Sequence, residues 1–209
     1  MNRVTLSFDN GPEPEITHAV LDLLDRHGVP ASFFVIGQKL DASPDARAAA
    51  ERAHAAGHWI GNHSYTHATP LGRIDPPEAA AEEILKTQRS LGPLARPDKL
   101  FRPFGGGGEL GPHLLNAVAA ETLKAGGFTC VTWNSVPRDW DDPAGWPARA
   151  RADCRRLDWA LVVLHDIPGA CLDELDGFLT WLRQENFEIR QDFPDDCLDL
   201  LTGESPNSR

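Results

Sequence analysis

Trp159-Ala160-Leu161-Val162-Val163-Leu164 runs straight into His165-Asp166. A short run that is apolar at every position is a strand covered on both faces, the condition of a parallel sheet in an α/β protein. Shorter runs of the same kind lie at residues 4–8, 31–36, 58–61, 99–101, 128–133 and 187–190. Helical periodicity separates them at residues 16–27, 44–56, 77–91, 110–125, 144–157 and 172–185, with Gly28, Gly57 and Gly126-Gly127 as stops. Strands alternating with helices pair in parallel through right-handed crossovers. The expected fold is therefore α/β: a single-domain distorted or incomplete (β/α) barrel with about seven parallel strands. An open doubly wound sheet is the alternative. Residues 1–202 form the expected domain, and residues 203–209 a polar tail.

Size and charge exclude several classes. The chain has 209 residues, 41% of them hydrophobic and 24% charged, which suits one globular domain with a substantial core. A net charge of −11 with no basic patch argues against nucleic acid. No apolar run is long enough to span a bilayer. Met1-Asn2-Arg3 leads straight into the first strand pattern without a signal-peptide pattern, which gives the expectation of a cytoplasmic protein. Cys130, Cys154, Cys171 and Cys197 form no CxxC pair and fit neither a zinc ribbon nor a small disulfide framework, so they read as reduced thiols.

Polar residues gather just beyond the strand ends. Asp9-Asn10 follows the first strand, His63 and His67 the third, Arg102 the fourth, Asp139-Trp140 the fifth and His165-Asp166 the sixth. In a parallel barrel these positions share the C-terminal rim, where active sites are built. Asp9 alone would read as a helix cap or turn residue; the convergence makes it a candidate for chemistry. His63 and His67 stand four apart, so both imidazoles can serve one metal on a turn, or both can be exposed turn residues. The spacing is not HExxH, because Ser64 stands in the glutamate's place, so a base must come from elsewhere. Arg102 can orient a rim carboxylate, while Gly106, Gly107 and Gly108 read as a flexible loop without the lysine of a phosphate cradle.

These segments together resemble the polysaccharide deacetylase family, the NodB-homology or carbohydrate esterase family four domain. The resemblance runs from Val4 to about Ile189. Ser7-Phe8-Asp9-Asn10-Gly11-Pro12 matches the opening motif TFDDGP except at Asn10, and His63-Ser64-Tyr65-Thr66-His67 matches H-[ST]-x-x-H in full. Arg102-Pro103-Phe104-Gly105 matches R-x-P-[YF]-G. Residues 136–140 match D-x-x-D-W in part, with Val136 where an acid is common, and residues 161–166 match the closing L-x-x-H-D-like motif. The resemblance implies a distorted barrel and metal-dependent hydrolysis of acetyl groups on sugars. By it, Asp9 would be the general base and His165 the general acid tuned by Asp139, with Arg102 bracing Asp9. Asn10, His63 and His67 would hold one divalent metal ion, zinc foremost, with cobalt, manganese or nickel as alternatives. Phe104, whose neighbouring backbone N–H would help hold an oxyanion, Trp140 and Leu164, with Leu161, would form the substrate wall.

Amide hydrolysis needs an activated water, a polarised carbonyl and a proton for the leaving amine, and this set contains a candidate for each. Asn10 stands where the family has an aspartate. Either its carbonyl oxygen is a weaker, uncharged ligand, or the metal is lost and only a sugar-binding pocket remains. The expected function is removal of an acetyl or other short acyl group from an N-acylated sugar or oligosaccharide, a small soluble partner. The alternatives are a non-catalytic carbohydrate-binding protein and an amidase or deformylase acting on a non-polysaccharide amide. A glycosidase would need a second carboxylate across the cleft from Asp9, with Asp139 as the candidate.

Overall fold

Alternation along two central strands determines how the chain closes on itself. In the computed structural model, which describes residues 2–198, β1 (Arg3–Asp9) sends Val4, Leu6 and Phe8 outward into the main core and buries Thr5, Ser7 and Asp9 away from it. Its parallel neighbour β6 (Trp159–His165) sends Ala160, Val162 and Leu164 outward and turns Leu161, Val163 and His165 inward. Successive side chains on a strand point to opposite faces, so one set packs under helices and the other fills a barrel.

The remaining elements follow in βα order. α1 (Pro14–His27), β2 (Ser32–Val35), α2 (Gly37–Ala42), α3 (Pro44–Ala55) and β3 (Trp59–Asn62) complete the first half. α4 (Ala79–Leu91), β4 (Leu100–Phe101), α5 (Ala117–Gly126), β5 (Thr129–Cys130) and α6 (Trp146–Arg156) precede β6, with α7 (Leu172–Gln184) and β7 (Glu188–Arg190) after it. The described residues form one seven-stranded sheet, all pairs parallel, in the order β5-β4-β3-β2-β1-β6. β7 pairs with Arg3, Val4 and Thr5, while β2 pairs with Ser7, Phe8 and Asp9, so β1 is shared between two neighbours along its length. A single bridge between Ser135 and Val162 joins the segment after β5 to β6. The sheet is thus curled into a distorted barrel, as the sequence leads one to expect.

Helices α1, α6 and α7 cover the outer face. Val20, Leu21, Leu24, Trp146, Ala150, Leu175, Phe178 and Leu179 pack with Val4, Leu6 and Phe8 in one cluster. α1 opens on Pro14 and closes on Gly28 at φ 62°, a left-handed cap that glycine adopts without strain. Inside the barrel a second layer combines Phe34, Leu100, Val131, Leu161 and Phe193. Gly61 opposes Phe34 across the sheet; a Cβ there would run into the Phe34 ring.

Three local expectations are corrected. The helix read at residues 110–125 begins only at Ala117, because the Asn116 side chain caps it by accepting from Ala119 N at 2.8 Å. The strand read at residues 128–133 keeps ladder geometry only at Thr129–Cys130, since the next carbonyls turn toward Arg102. The short helix α2, absent from the periodic pattern, docks its first N–H groups on the turn after β3: Gly37 N donates to Ser64 O at 3.0 Å and Gln38 N to Tyr65 O at 2.9 Å. The tail at residues 203–209 lies outside the described residues. The four cysteines are free and buried, and burial pushes the Cys130 and Cys154 thiols up to about 12.

Leu164, fully buried in the outer core, tests this alternation. Leu164→Ala is expected to lower unfolding stability by about 2–5 kcal/mol, read from the urea midpoint at unchanged slope.

Candidate active site

A cavity of about 320 Å³ opens at the C-terminal rim of the barrel, lined by residues from five strand-end segments. Asp9 and Asn10 come from the end of β1, and His63 and His67 from the turn after β3. Phe104, Gly105, Gly107 and Gly108 follow β4, Trp133, Val136 and Trp140 follow β5, and His165 ends β6.

Asp9 is only 4% exposed, and its Oδ1 accepts from Arg102 Nη1 at 2.8 Å. Arg102 is fully buried inside the barrel. Its guanidinium also donates to Ser7 Oγ (2.7 Å), Val131 O (3.3 Å) and Thr132 O (3.2 Å), and its Cζ lies 4.0 Å over the Phe34 ring. A buried guanidinium persists where its donors are bonded, and here all three of its nitrogens are. Asp9 Oδ2 is left facing His63 Nε2 at 3.6 Å.

His165 stands on the adjacent strand, in register with Asp9. Its Nδ1 donates to Asp139 Oδ1 at 2.8 Å, and its backbone N donates to Asp139 Oδ2 at 2.8 Å. The Nδ1 bond leaves Nε2 as the nitrogen facing the cavity. Burial alone would lower the His165 pKa; the bond to Asp139 and the charges of Asp139, Asp9 and Asp166 outweigh it and raise it above the ordinary histidine value. Asp139 is fully buried and spends both oxygens on His165, so it presents no second carboxylate to the cavity and the glycosidase pairing fails. Trp140 meets the His165 ring edge-on at 4.6 Å and is 37% exposed at the rim.

The histidine pair is not a pair of exposed turn residues. His63 is 2% exposed, and its Nδ1 donates to Arg102 O at 2.9 Å, which leaves a lone pair on Nε2. The ring centroids of His63 and His67 are 4.9 Å apart, and His67 stacks on Phe104 at 3.8 Å. Burial pushes both imidazoles down to about 3, so both are neutral at pH 7, the form that ligates a cation. Asn10, at φ 72° in the left-handed region that asparagine tolerates, has a buried Oδ1 with no hydrogen-bond partner among the described residues. An orphaned acceptor beside two neutral imidazoles fits a divalent cation. Among the described residues no three His, Cys, Asp or Glu side chains are grouped so as to hold a metal ion.

The Asn10 loop is held from three sides. Lys39 Nζ donates to Asn10 O at 2.6 Å, Ile36 N donates to Gly11 O at 2.9 Å, and Asp166 packs so close to Gly11 that a Cβ there would strike its carboxylate. Burial pushes Asp166 up to about 7, and its Oδ2 accepts from Thr17 Oγ1 at 2.6 Å.

Leu161 and Leu164, expected in the substrate wall, are corrected. Leu161 fills the lower barrel layer and Leu164 the outer core, while Val163 lines the cavity between them. Sequence reasoning also missed Lys39, Thr17 and Trp133. Trp133 lines the cavity and donates from Nε1 to Gly108 O at 2.6 Å, tying down the glycine-rich loop. For Ser7, the alternation Thr5-Leu6-Ser7-Phe8-Asp9 carried the signal: polar residues at every second position point into the barrel. No local pattern marks Lys39 or Thr17.

The sequence profile described as polysaccharide deacetylase matches residues 1–131. A chitooligosaccharide deacetylase from a Bradyrhizobium species is 36% identical over 78% of this chain and 70% of its own length. A peptidoglycan-N-acetylglucosamine deacetylase from Listeria monocytogenes is 29% identical over 90% of this chain, which spans only 37% of that protein. The solved family 4 carbohydrate esterase from Streptomyces lividans, in complex with acetate, superposes with a TM-score of 0.72 at 25% identity, covering 92% of each chain.

The His165–Asp139 pair carries a pH signature. A histidine whose folded pKa is raised contributes stability below its unfolded value, about 6.5, and that contribution is lost as pH rises through the folded value. Asp139→Asn is expected to lower the His165 imidazole midpoint, followed by NMR titration of the metal-free protein. The step of stability lost above about pH 6.5 is expected to shrink with it.

Proposed function

The chain belongs to the polysaccharide deacetylase family, and on that footing we propose that it hydrolyses the acetyl amide of an N-acetylated sugar, of the chitooligosaccharide or peptidoglycan N-acetylglucosamine type. The observation that carries the reading is one cavity faced by two braced proton carriers, Asp9 held by Arg102 and His165 held by Asp139. The names of the relatives and the acetate in the Streptomyces esterase support the same substrate class.

Asn10, His63 and His67 would hold a divalent cation, zinc foremost, which when bound supplies a Lewis acid for the acyl carbonyl and makes water more acidic. Asp9 accepts the proton of the attacking water on Oδ2, because Oδ1 is committed to Arg102. Water oxygen bonds to the acyl carbon, and the carbon–nitrogen bond breaks. His165 gives its Nε2 proton to the departing nitrogen, and its raised pKa keeps that proton available toward neutral pH. The products are acetate and a free amino sugar. The backbone N–H beside Phe104 is the proposed protein donor to the oxyanion. Trp140 offers the sugar ring a stacking face at the rim, and Phe104 backs His67.

The second reading, a sugar-binding protein without turnover, rests on Asn10 alone. Acetate release from N-acetylglucosamine oligomers or peptidoglycan fragments separates the two; binding without acetate would support the second. Asp9→Asn is expected to reduce turnover by at least about 100-fold while zinc binding by calorimetry persists. Asn10→Asp is expected to tighten zinc, and an unchanged dissociation constant would remove position 10 from the donor set.

A further inference from the structure

The turn carrying His63 and His67 is strained and closely tied. Ser64 (φ 67°) and His67 (φ 54°) both occupy the left-handed region, which costs a non-glycine residue energy and persists only where surroundings over-determine it. His63 is fixed by the sheet: its N donates to Val35 O at 3.0 Å, and its Nδ1 is held by Arg102 O. His67 lies four residues on, so its place depends on the turn.

The turn's carbonyls are taken by the first N–H groups of α2, and Ser64 N donates to Asn62 Oδ1 at 3.0 Å. The next two N–H groups converge on one carboxylate from α4. Glu83 Oε2 accepts from Tyr65 N at 3.0 Å and Thr66 N at 2.8 Å, and Glu83 Oε1 accepts from Thr66 Oγ1 at 3.0 Å. Lys86, one turn further along α4, lies 3.7 Å over the Tyr65 ring. α4 is itself pinned to β3, since Asn62 Nδ2 donates to Ile84 O at 2.9 Å and Ile84 and Thr87 are fully buried. The carboxylate is therefore delivered from a fixed support, and bonds to a charged acceptor are the stronger kind.

We propose that Glu83 is the positioning residue that holds the turn in the shape bringing His67 beside His63, and that it thereby sets the affinity of the site for a divalent cation. The affinity half rests on the cation reading above. Glu83 touches neither cavity nor ligand; it acts through the backbone of Tyr65 and Thr66. Partners behind a ligand commonly change metal affinity by about 10–100-fold.

The test compares wild type, Glu83→Gln and Glu83→Ala, all metal-stripped, by zinc calorimetry, thermal melting and amide hydrogen exchange across residues 64–68. Glu83→Ala is expected to weaken zinc by about 10–100-fold with a melting temperature close to wild type. Glu83→Gln, which keeps one oxygen acceptor, is expected to restore part of the loss. Unchanged zinc affinity in a folded Glu83→Ala protein would overturn the proposal. Should Glu83→Ala fail to fold, exchange in Glu83→Gln decides: faster exchange confined to the turn supports the proposal, and wild-type exchange overturns it. A wild type that binds no zinc overturns the cation reading and the affinity half with it, while exchange still decides whether Glu83 holds the turn.

Discussion

The buried pair between Arg102 and Asp9 is the constraint around which the barrel is arranged. A guanidinium taken wholly out of water is tolerated only if its donors are bonded and its charge is met. Arg102 meets both conditions by reaching β1 through Ser7 and Asp9 and the far edge of the sheet through the carbonyls of Val131 and Thr132. The same side chain joins β1 to the segment that follows the edge strand β5, and its flat face rests on Phe34 in the apolar layer below. It braces Asp9 at the floor of the cavity and cross-braces the fold at once. Two consequences follow. The segment after β5 gives up ladder geometry to supply the Val131 and Thr132 carbonyls, and Asp9 is left with one oxygen for chemistry.

Strain collects above this floor. Of the six non-glycine residues with positive φ among the described residues, four (Asn10, Ser64, His67 and Arg138) lie in the loops that surround the cavity, and Lys99 and Asn186 lie away from it. Each such residue costs of order 1–3 kcal/mol. The packed helices on the outer face supply the opposing stability, and their cluster contains none of the four strained residues. The division is physical: the outward alternation of β1 and β6 stabilises, while the inward alternation carries polar groups that a core alone would not select. Asn10 Oδ1, buried without a partner among the described residues, is the clearest unsatisfied group on that inward side.

How much of this the sequence shows depends on whether the cause is local. The strands and most helices are local patterns, so the curled parallel sheet was legible from Trp159 to Leu164 outward. Asp9, His63, Arg102 and His165 were legible because each directly ends a strand. Leu164 was misplaced because an unbroken apolar run hides its period of two; only pairing with β1 reveals which side faces the helices. The early start read for α5 failed because periodicity cannot see that the Asn116 side chain caps a later turn. Lys39, Thr17 and Glu83 were invisible for a third reason. They act on backbone atoms 29, 149 and 18 positions away, or on side chains there, through contacts that only the closed barrel creates.

Position 10 shows how these levels meet. An amide replaces a carboxylate beside two imidazoles that burial keeps neutral, and the nearby carboxylate, Asp9, is already paired with Arg102. The donor set proposed for a cation would therefore be uncharged. Such a set holds a cation less tightly than one containing an aspartate, and it quenches less of the cation's positive charge. Lys39, bonded to the Asn10 carbonyl, has its own charge met by Glu13. Such a site, if it holds the proposed cation, would give up affinity and gain polarising power. It can afford that exchange only if its geometry is fixed before any ligand arrives, since weak binding cannot drag a loose turn into place. The density of bonds on the His63–His67 turn, from α2 on its carbonyls and from Glu83 on its N–H groups, is what the proposed uncharged donor set would require.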